Sequence, residues 1–599
     1  MPSYAIPLLT LALVLTVSLL LIGRDQGVRC LLMLVLFPAL LFVAGWLIAC
    51  HRAPVLPTLL VAGLLALAGQ VFLLLGTGAS GRLALLGAAG GYLSAVLMAG
   101  VCIPCFHITG VYSPLLRDLW YAPGTGQIDF ASLALGAIAL AGVGIIADLA
   151  VAVTATMQEV HQANRKLSSS QLFASGMRFG RDVIGTEINT LPFALLGSGI
   201  GGVLLILVKP DVAHWPFSWM TLVNQQSIAV EIAALSAGTI GLALTIPLTA
   251  LLASKHLGSV VPAGEPQSVA AVRGRSALRR VSPGLLLVVA ALITVAAYRV
   301  VGQLTYRYPQ GTQATQTRLV RGQVVSVAEP GAPGASAGQR RANETLQTLQ
   351  VRASDGKTWS AENAITGSPV NDRLPAPGDR VIIRLQEAGG ERYAALSEFE
   401  RDRGLLVLLL IVCVAVVLVS GWMGWRALAA LAASLGIIGV FLLLLVRTRA
   451  MPLPLTIGCV FVVTAVTYLI LFGWGRKAAG ACLGVVLGLS VAAGAGLLFG
   501  QWLGLSGRYD GDLMALAFYS SAQGFDFPAL LGAAILIGAL GVAMDVSIAV
   551  ASAVAEVQRA DPQSGFRTLL AAGLSVGRKV IVAMFGAIFF AYIGLNIGL

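Results

Sequence analysis

Charge is scarce in this chain. Of 599 residues only 11% are charged, 39 Lys and Arg against 27 Asp and Glu. A soluble domain carries about twice that share, so a soluble globular fold is excluded. Histidine is scarcer still: there are five, and they do not cluster. The sequence contains no His-Glu-x-x-His, no Walker A loop and no nucleophile elbow. Those arrangements serve zinc hydrolysis, nucleotide hydrolysis and serine acyl transfer. The chain is therefore not expected to be an enzyme, and no cofactor is expected. Cysteine is also sparse, at seven. Most sit alone in apolar runs, where a thiol packs as a small apolar group.

What fills the chain is hydrocarbon. Apolar residues make up 57% of it, and the mean hydropathy is +0.86. Apolar runs of about 18 residues or more recur, which predicts an all-α polytopic membrane protein with the lipid bilayer as its main partner. A membrane β-barrel would show short alternating segments instead. We read about 14 spans. Seven lie in the first half, near 5–22, 30–50, 56–76, 82–103, 131–158, 183–208 and 226–253. Seven lie in the second, near 284–303, 404–421, 426–446, 454–473, 478–500, 528–555 and 577–598. The first has no basic stretch ahead of it and no cleavage signal, so it reads as a retained helix. The net charge of +12 does not point to nucleic acid, because much of it falls in short loops between spans.

Those loops set the expected orientation. Lys255, Arg273, Arg275, Arg279 and Arg280 place the linker 254–283 in the cytoplasm. Alternation then puts 161–181 and 556–579 inside. It puts residues 304–403 on the extracytoplasmic side. Arg447 and Arg449 run against this pattern. The domain reading follows: a first transmembrane repeat (1–253), the linker, a lone span (284–303), an extracytoplasmic segment (304–403) and a second transmembrane repeat (404–599). The segment 304–403 alternates near 321–327 and 345–351, turns at Asp355-Gly356 and Pro377-Gly378, and resumes at 381–383 and 393–396. That pattern predicts a small β-barrel or sandwich of OB-like kind. Few aromatics and an outside location argue against oligonucleotide binding there.

The chain also says one thing twice. GIIADLAVAVTATMQEV from Gly144, continuing to GMRFGRDVIG, aligns without a gap on GVAMDVSIAVASAVAEV from Gly541, continuing to GLSVGRKVIV. About a third of roughly sixty aligned positions are identical. Asp148 pairs with Asp545, Glu159 with Glu556, Gly176 with Gly573, Gly180 with Gly577 and Arg181 with Arg578. Equal orientation makes the two repeats parallel. Asp and Glu are eleven residues apart, so they fall within roughly 20° of one helical face and about 16 Å apart along it. A charged Asp inside a spanning helix is costly unless it meets a cavity, a cation or a partner. Two readings follow. Either each Asp pairs with Arg181 or Arg578, or the two bind a coupling proton or cation. The Gly-x-x-x-Gly pairs read as helix-packing positions. Beyond the arginine the copies differ. The first has Asp182, Thr186, Glu187, Asn189 and Thr190; the second has Lys579, Ala583, Met584, Gly586 and Ala587. A fainter echo matches Gly81-Arg82 with Gly475-Arg476.

These residues resemble the YibE/F-like family of bacterial multi-pass membrane proteins. The resemblance rests on Gly541-Val-Ala-Met-Asp545 through Glu556, on Gly573-x-x-x-Gly577-Arg578, and on Gly180-Arg181-Asp182-Val-Ile-Gly185-Thr186-x-x-Asn189-Thr190-Leu191. Phe399 to Arg403 entering a span and the Gly475-Arg476-Lys477 loop add to it. The chain looks like two such units fused. It departs from the pattern at Ala147, where Met precedes the Asp in the family, and in the second copy's missing Asn-Thr end. The resemblance implies a permease in the bacterial cell membrane and fixes no substrate. We therefore expect a secondary transporter of a small solute or ion. Its coupling site would use Asp148, Glu159, Arg181, Asp182, Glu187, Asn189, Thr190, Asp545, Glu556 and Arg578. The alternative is a non-transporting scaffold or sensor that reads the outside through 304–403. One further cluster, Cys102-Ile-Pro-Cys105-Phe-His107, has the spacing of a redox pair, a disulfide or a soft-metal entry point.

Overall fold

A bilayer offers backbone N–H and C=O groups no partner outside their own segment, so apolar runs of spanning length become helices. The structure, a computed structural model, describes residues 5–50, 52–112, 128–208, 223–257, 317–328, 345–354, 356–365, 372–388, 391–448, 452–508 and 526–595, with a few isolated positions between. Its first helices are α1 (Ala5–Gly23), α2 (Asp25–Ala49), α3 (Val55–Leu75), α4 (Ala79–Cys105), α5 (Phe130–Ala163), α6 (Ser169–Ser198), α7 (Ile200–Val208) and α8 (Gln226–Leu257). After the strands come α9 (Asp402–Ser420), α10 (Trp422–Thr448), α11 (Pro452–Phe472), α12 (Arg476–Trp502), α13 (Phe527–Ala560) and α14 (Phe566–Leu595). Among the described residues, eleven of these are long and apolar enough to cross a membrane. The chain is a multi-pass membrane protein. The expected span 284–303 lies outside the described residues, as does most of the linker before it.

Helix α6 begins at Ser169, not at 183 as the hydropathy suggested. Arg178, Arg181, Asp182 and Glu187 dilute its apolar content, although its backbone is helical throughout. Helix α5 is stopped and started by side chains. Asp129 accepts hydrogen bonds from the N–H groups of Ala131 and Ser132 at 3.1 and 3.2 Å, which satisfies two donors a helix start leaves open. Asp526 caps α13 in the same way.

The bounds of α1, α3, α4, α5 and α6 return in α9, α11, α12, α13 and α14 at a shift of 397 residues, as from Phe130 to Phe527. Backbone peculiarities keep that shift. Gly110 and Gly507 both have positive φ, and a Cβ on either would fall about 2 Å from the carbonyl oxygen of Phe130 or Phe527. His107, also at positive φ, matches Gly504. The shift corrects the fainter echo: Gly475 caps α12 as Gly78 caps α4, while Gly81 lies inside its helix.

The sixth helices change sides. Helix α6 packs chiefly along α13, and α14 packs chiefly along α5. Both crossings are backbone-close. A Cβ on Gly144 would sit 2.3 Å from Cα of Ala587, and one on Gly541 would sit 2.9 Å from Cα of Thr190. The Gly-x-x-x-Gly pairs do serve packing, but against different neighbours. Gly176 and Gly180 seat Ala250 and Ile246 of α8, whereas Gly573 and Gly577 seat Val554 and Val550 of α13. Helix α8 also lies along α4, with Thr245 and Thr249 against Gly91 and Gly87.

Five strands close a barrel: β1 (Thr317–Val327), β2 (Thr345–Ala353), β3 (Thr358–Ile365), β4 (Arg380–Ala388) and β5 (Glu391–Phe399). Their order is β1-β2-β3-β5-β4, with β1 pairing β4 and β3 running parallel to β5. That is the OB arrangement. Val324, Leu349, Val351, Ala361, Val381 and Ile383 fill its centre. Strand β3 was absent from the sequence reading because Trp-Ser-Ala-Glu-Asn alternates only weakly. Arg401 fastens the barrel to the helices. Its side chain, 3% exposed, donates to the carbonyl oxygens of Phe106 and Asn224 and pairs with Glu398 at 3.0 Å. Burial pushes its guanidinium below the ordinary arginine value, and Glu398 opposes the shift. His107 stacks on Phe399 with centroids 4.4 Å apart.

Candidate functional site

Three acidic side chains meet at the centre of the helices. Asp148 on α5, Glu187 on α6 and Asp545 on α13 are 2%, 3% and 0% exposed. Each pair of them lies close enough for their charges to act on one another. No basic group acts on any of the three among the described residues. The exchange of sixth helices makes this meeting, because Glu187 reaches Asp545 only when α6 lies on α13. Both oxygens of Asp545, Oδ1 of Asp148 and Oδ1 of Asn189 have no hydrogen-bond partner. The hydroxyls of Thr186 and Thr190 face Asp545, yet they donate to backbone carbonyls: Thr186 to Val183, Thr190 to Thr186 and Gly541. Rotating either hydroxyl would supply the carboxylate.

The pairing of each Asp with an arginine is not what forms. Arg181 turns away and donates through Nε to the carbonyl oxygen of Val419 at 3.3 Å. Arg578 is not among the charges acting on the three carboxylates. Asp182 also leaves the proposed site and takes an ion pair from Lys477 of α12. Asn189 remains, fully buried, its amide donating to the carbonyl oxygen of Gly185 at 2.9 Å. On the other crossing, the places of Glu187, Asn189 and Thr190 hold Met584, Gly586 and Ala587. Gly586 there lies against Gln70 of α3, whose amide donates to the carbonyl oxygen of Ala583 at 2.8 Å.

The second pair of carboxylates lies about three turns away, at the helix ends remote from the barrel. Both tie the crossings together. Glu556 on α13 is 1% exposed and accepts from Ser175 of α6 at 2.8 Å and from Arg178 at 3.0 Å. Arg559 of its own helix pairs with it as well. Glu159 on α5 accepts from Ser575 of α14 at 2.7 Å. Ser575 stands where the first half has Arg178, so one closure carries a salt bridge, and the other a hydroxyl with the charge of Lys579 acting on Glu159. Helix α6 covers Glu556, where a boundary Glu would ordinarily face solvent. Sequence spacing could not show that Ser175 and Arg178 serve this carboxylate, since they lie nearly 400 residues from it.

The Cys102–His107 cluster does not assemble. All seven cysteines are free; Cys102 is buried, Cys105 exposed and His107 bound up with Phe399. Among the described residues, no group of three or more His, Cys, Asp or Glu side chains is arranged to hold a metal ion.

Two comparisons bear on the whole chain. A family model described as YibE/F-like protein matches residues 11–259 and 408–599. No curated protein matches the chain.

Proposed function

The chain belongs to the YibE/F-like protein family across both of its halves, and on that premise we propose that it is a proton- or cation-coupled permease. The coupling site is Asp148, Glu187 and Asp545, flanked by Asn189, Thr186 and Thr190 as neutral hydrogen-bonding groups. One observation carries the reading: three acidic side chains are buried together among the helices with no basic partner among the described residues. A structural role would pair them, since each unpaired charge in a spanning helix costs several kcal/mol. Exchange of a proton or cation gives the arrangement a use.

The two halves are parallel repeats of a six-helix unit in this reading. The barrel lies on the extracytoplasmic face of the bacterial cell membrane, and the Glu159 and Glu556 ends face the cytoplasm. The three carboxylates are buried here, which corresponds to an occluded state. The exchanged helices alter how access can alternate. Rocking of one half against the other would tear α6 from α13. The bodies that keep both crossings are α1–α5 with α14, and α9–α13 with α6, and α8, packed on α4, α5, α6 and α9, joins them.

Burial alone would also suit a scaffold or sensor whose barrel is locked down by Arg401. Ion-pairing of the central carboxylates would be needed to prefer that reading, and among the described residues they have none. The test is flux in proteoliposomes under an imposed pH or cation gradient. Asp148→Asn and Asp545→Asn are expected to abolish it while the protein stays folded. Wild-type-like flux in both single variants and in the double would remove the coupling role.

A further inference from the structure

Two interfaces run from the central carboxylates to the helix ends remote from the barrel: α6 against α13, and α14 against α5. They occupy equivalent places but differ in chemistry. On α13, Asp545, Ser552 and Glu556 stand at i, i+7 and i+11, within about 40° of one helical face. Their exposures are 0%, 0% and 1%. The hydroxyl of Ser552 has no hydrogen-bond partner. Other buried hydroxyls, among them Thr249 and Ser420, also lack one, but they lie off this line. Thr239, Thr245 and Thr464 all donate to the carbonyl four residues back, the ordinary resort of a hydroxyl in a membrane helix. Ser552 has the same opportunity and does not take it. Helix α6 carries Asn189, Thr190 and Thr186 at the upper end of this line, and Ser175 at the lower.

The equivalent line on α5 is Asp148, Ala155 and Glu159, and α14 contributes Ala583, Gly586 and Ala587. Between its carboxylates it has Ala155 where α13 has Ser552, and a cation, Lys579 of α14, acts on Glu159 at its remote end. Thr154 and Thr156 of α5 are buried and unpartnered too, but helix geometry turns them about 120° and 80° away from Asp148.

We propose that the central carboxylates reach the remote end along the α6–α13 interface only. Ser552 is the intermediate polar step, and the contact of Glu556 with Ser175 and Arg178 is the closure. The species passing would be the coupling cation, and that naming rests on the transport reading; the route itself does not. Buried hydroxyls that lack a protein partner belong where water or an ion passes, because leaving them bare costs their full desolvation. The α5–α14 interface then holds the molecule together and carries nothing.

The experiment reads accessibility, so that the two readings fail separately. Ser552→Cys and Ala155→Cys are made singly in a chain whose seven native cysteines are replaced. Each is treated in vesicles with a small cationic methanethiosulfonate. Ser552→Cys is expected to react at least about tenfold faster than Ala155→Cys, because only a hydrated thiolate attacks and apolar burial suppresses it. Adding Glu556→Gln should quicken the reaction further; Arg178→Gln replaces it should that variant fail to fold. Equal rates at the two cysteines, or no reaction at Ser552→Cys in the opened variant, would overturn the proposal. Asymmetric labelling in a protein that moves no ion would uphold the route and remove the transport reading.

Discussion

Replacing Asp545 by Asn should make the protein more stable, not less. Asp545 is fully buried, neither of its oxygens has a partner, and no basic group acts on it. A charged Asp at the centre of a membrane helix costs about 2.5–3.5 kcal/mol on insertion scales. Asn has nearly the same shape and carries no charge. Thr186 and Thr190 stand ready to bond its amide. The expected gain is about 1–3 kcal/mol, which in a chain of this size corresponds to a rise in unfolding temperature of about 1–2 °C. Asp182→Asn is the matched control. It breaks the ion pair with Lys477, which is about a fifth exposed on both sides, and should lose no more than about 1 kcal/mol. Thermal unfolding of purified protein in detergent, followed by tryptophan fluorescence, compares the two. Loss of more than about 1 kcal/mol in Asp545→Asn would refute the reasoning, because it would mean the carboxylate is a structural partner after all.

Two further outcomes follow from the packing. Gly144→Val should destabilise by about 1–3 kcal/mol, since its first added atom meets the backbone of Ala587, whereas Gly488→Val, with nothing within 4 Å, should be neutral in the same assay. Arg401→Met should cost on the order of 3 kcal/mol by stripping Glu398, Asn224 and Phe106 of their shared donor, and should be seen as faster proteolytic release of the barrel.

Much of the helical framework was legible because a membrane span announces itself by composition. Expected and observed bounds of α3, α9 and α11 agree within two residues. Helix α6 was read short because its charged first half faces protein, where polarity is tolerated and hydropathy says nothing. Four of the barrel strands were visible from alternation, and β3 was not. Asp148, Asp545 and Glu187 were all picked out as polar groups needing a reason, but Glu187 could not be joined to Asp545 from spacing. That pairing depends on α6 crossing to α13, and identical packing residues would serve a helix that stayed at home. The arginine partner expected for each Asp failed for a related reason: Arg181 finds a free helix-end carbonyl at Val419, on a helix more than 200 residues away.

The crossing of α6 and α14 also says something about ancestry and about cutting the chain. The family match covers both halves, yet each fifth helix takes its main packing partner from the sixth helix of the other half. Joining two such units in one gene fixes their ratio at one to one. It also frees them to diverge: one keeps Glu187, Asn189 and Thr190, and the other fills the space with Met584, Gly586 and Ala587. Neither half, produced by itself, contains a complete set of contacts, and each is completed only by the other.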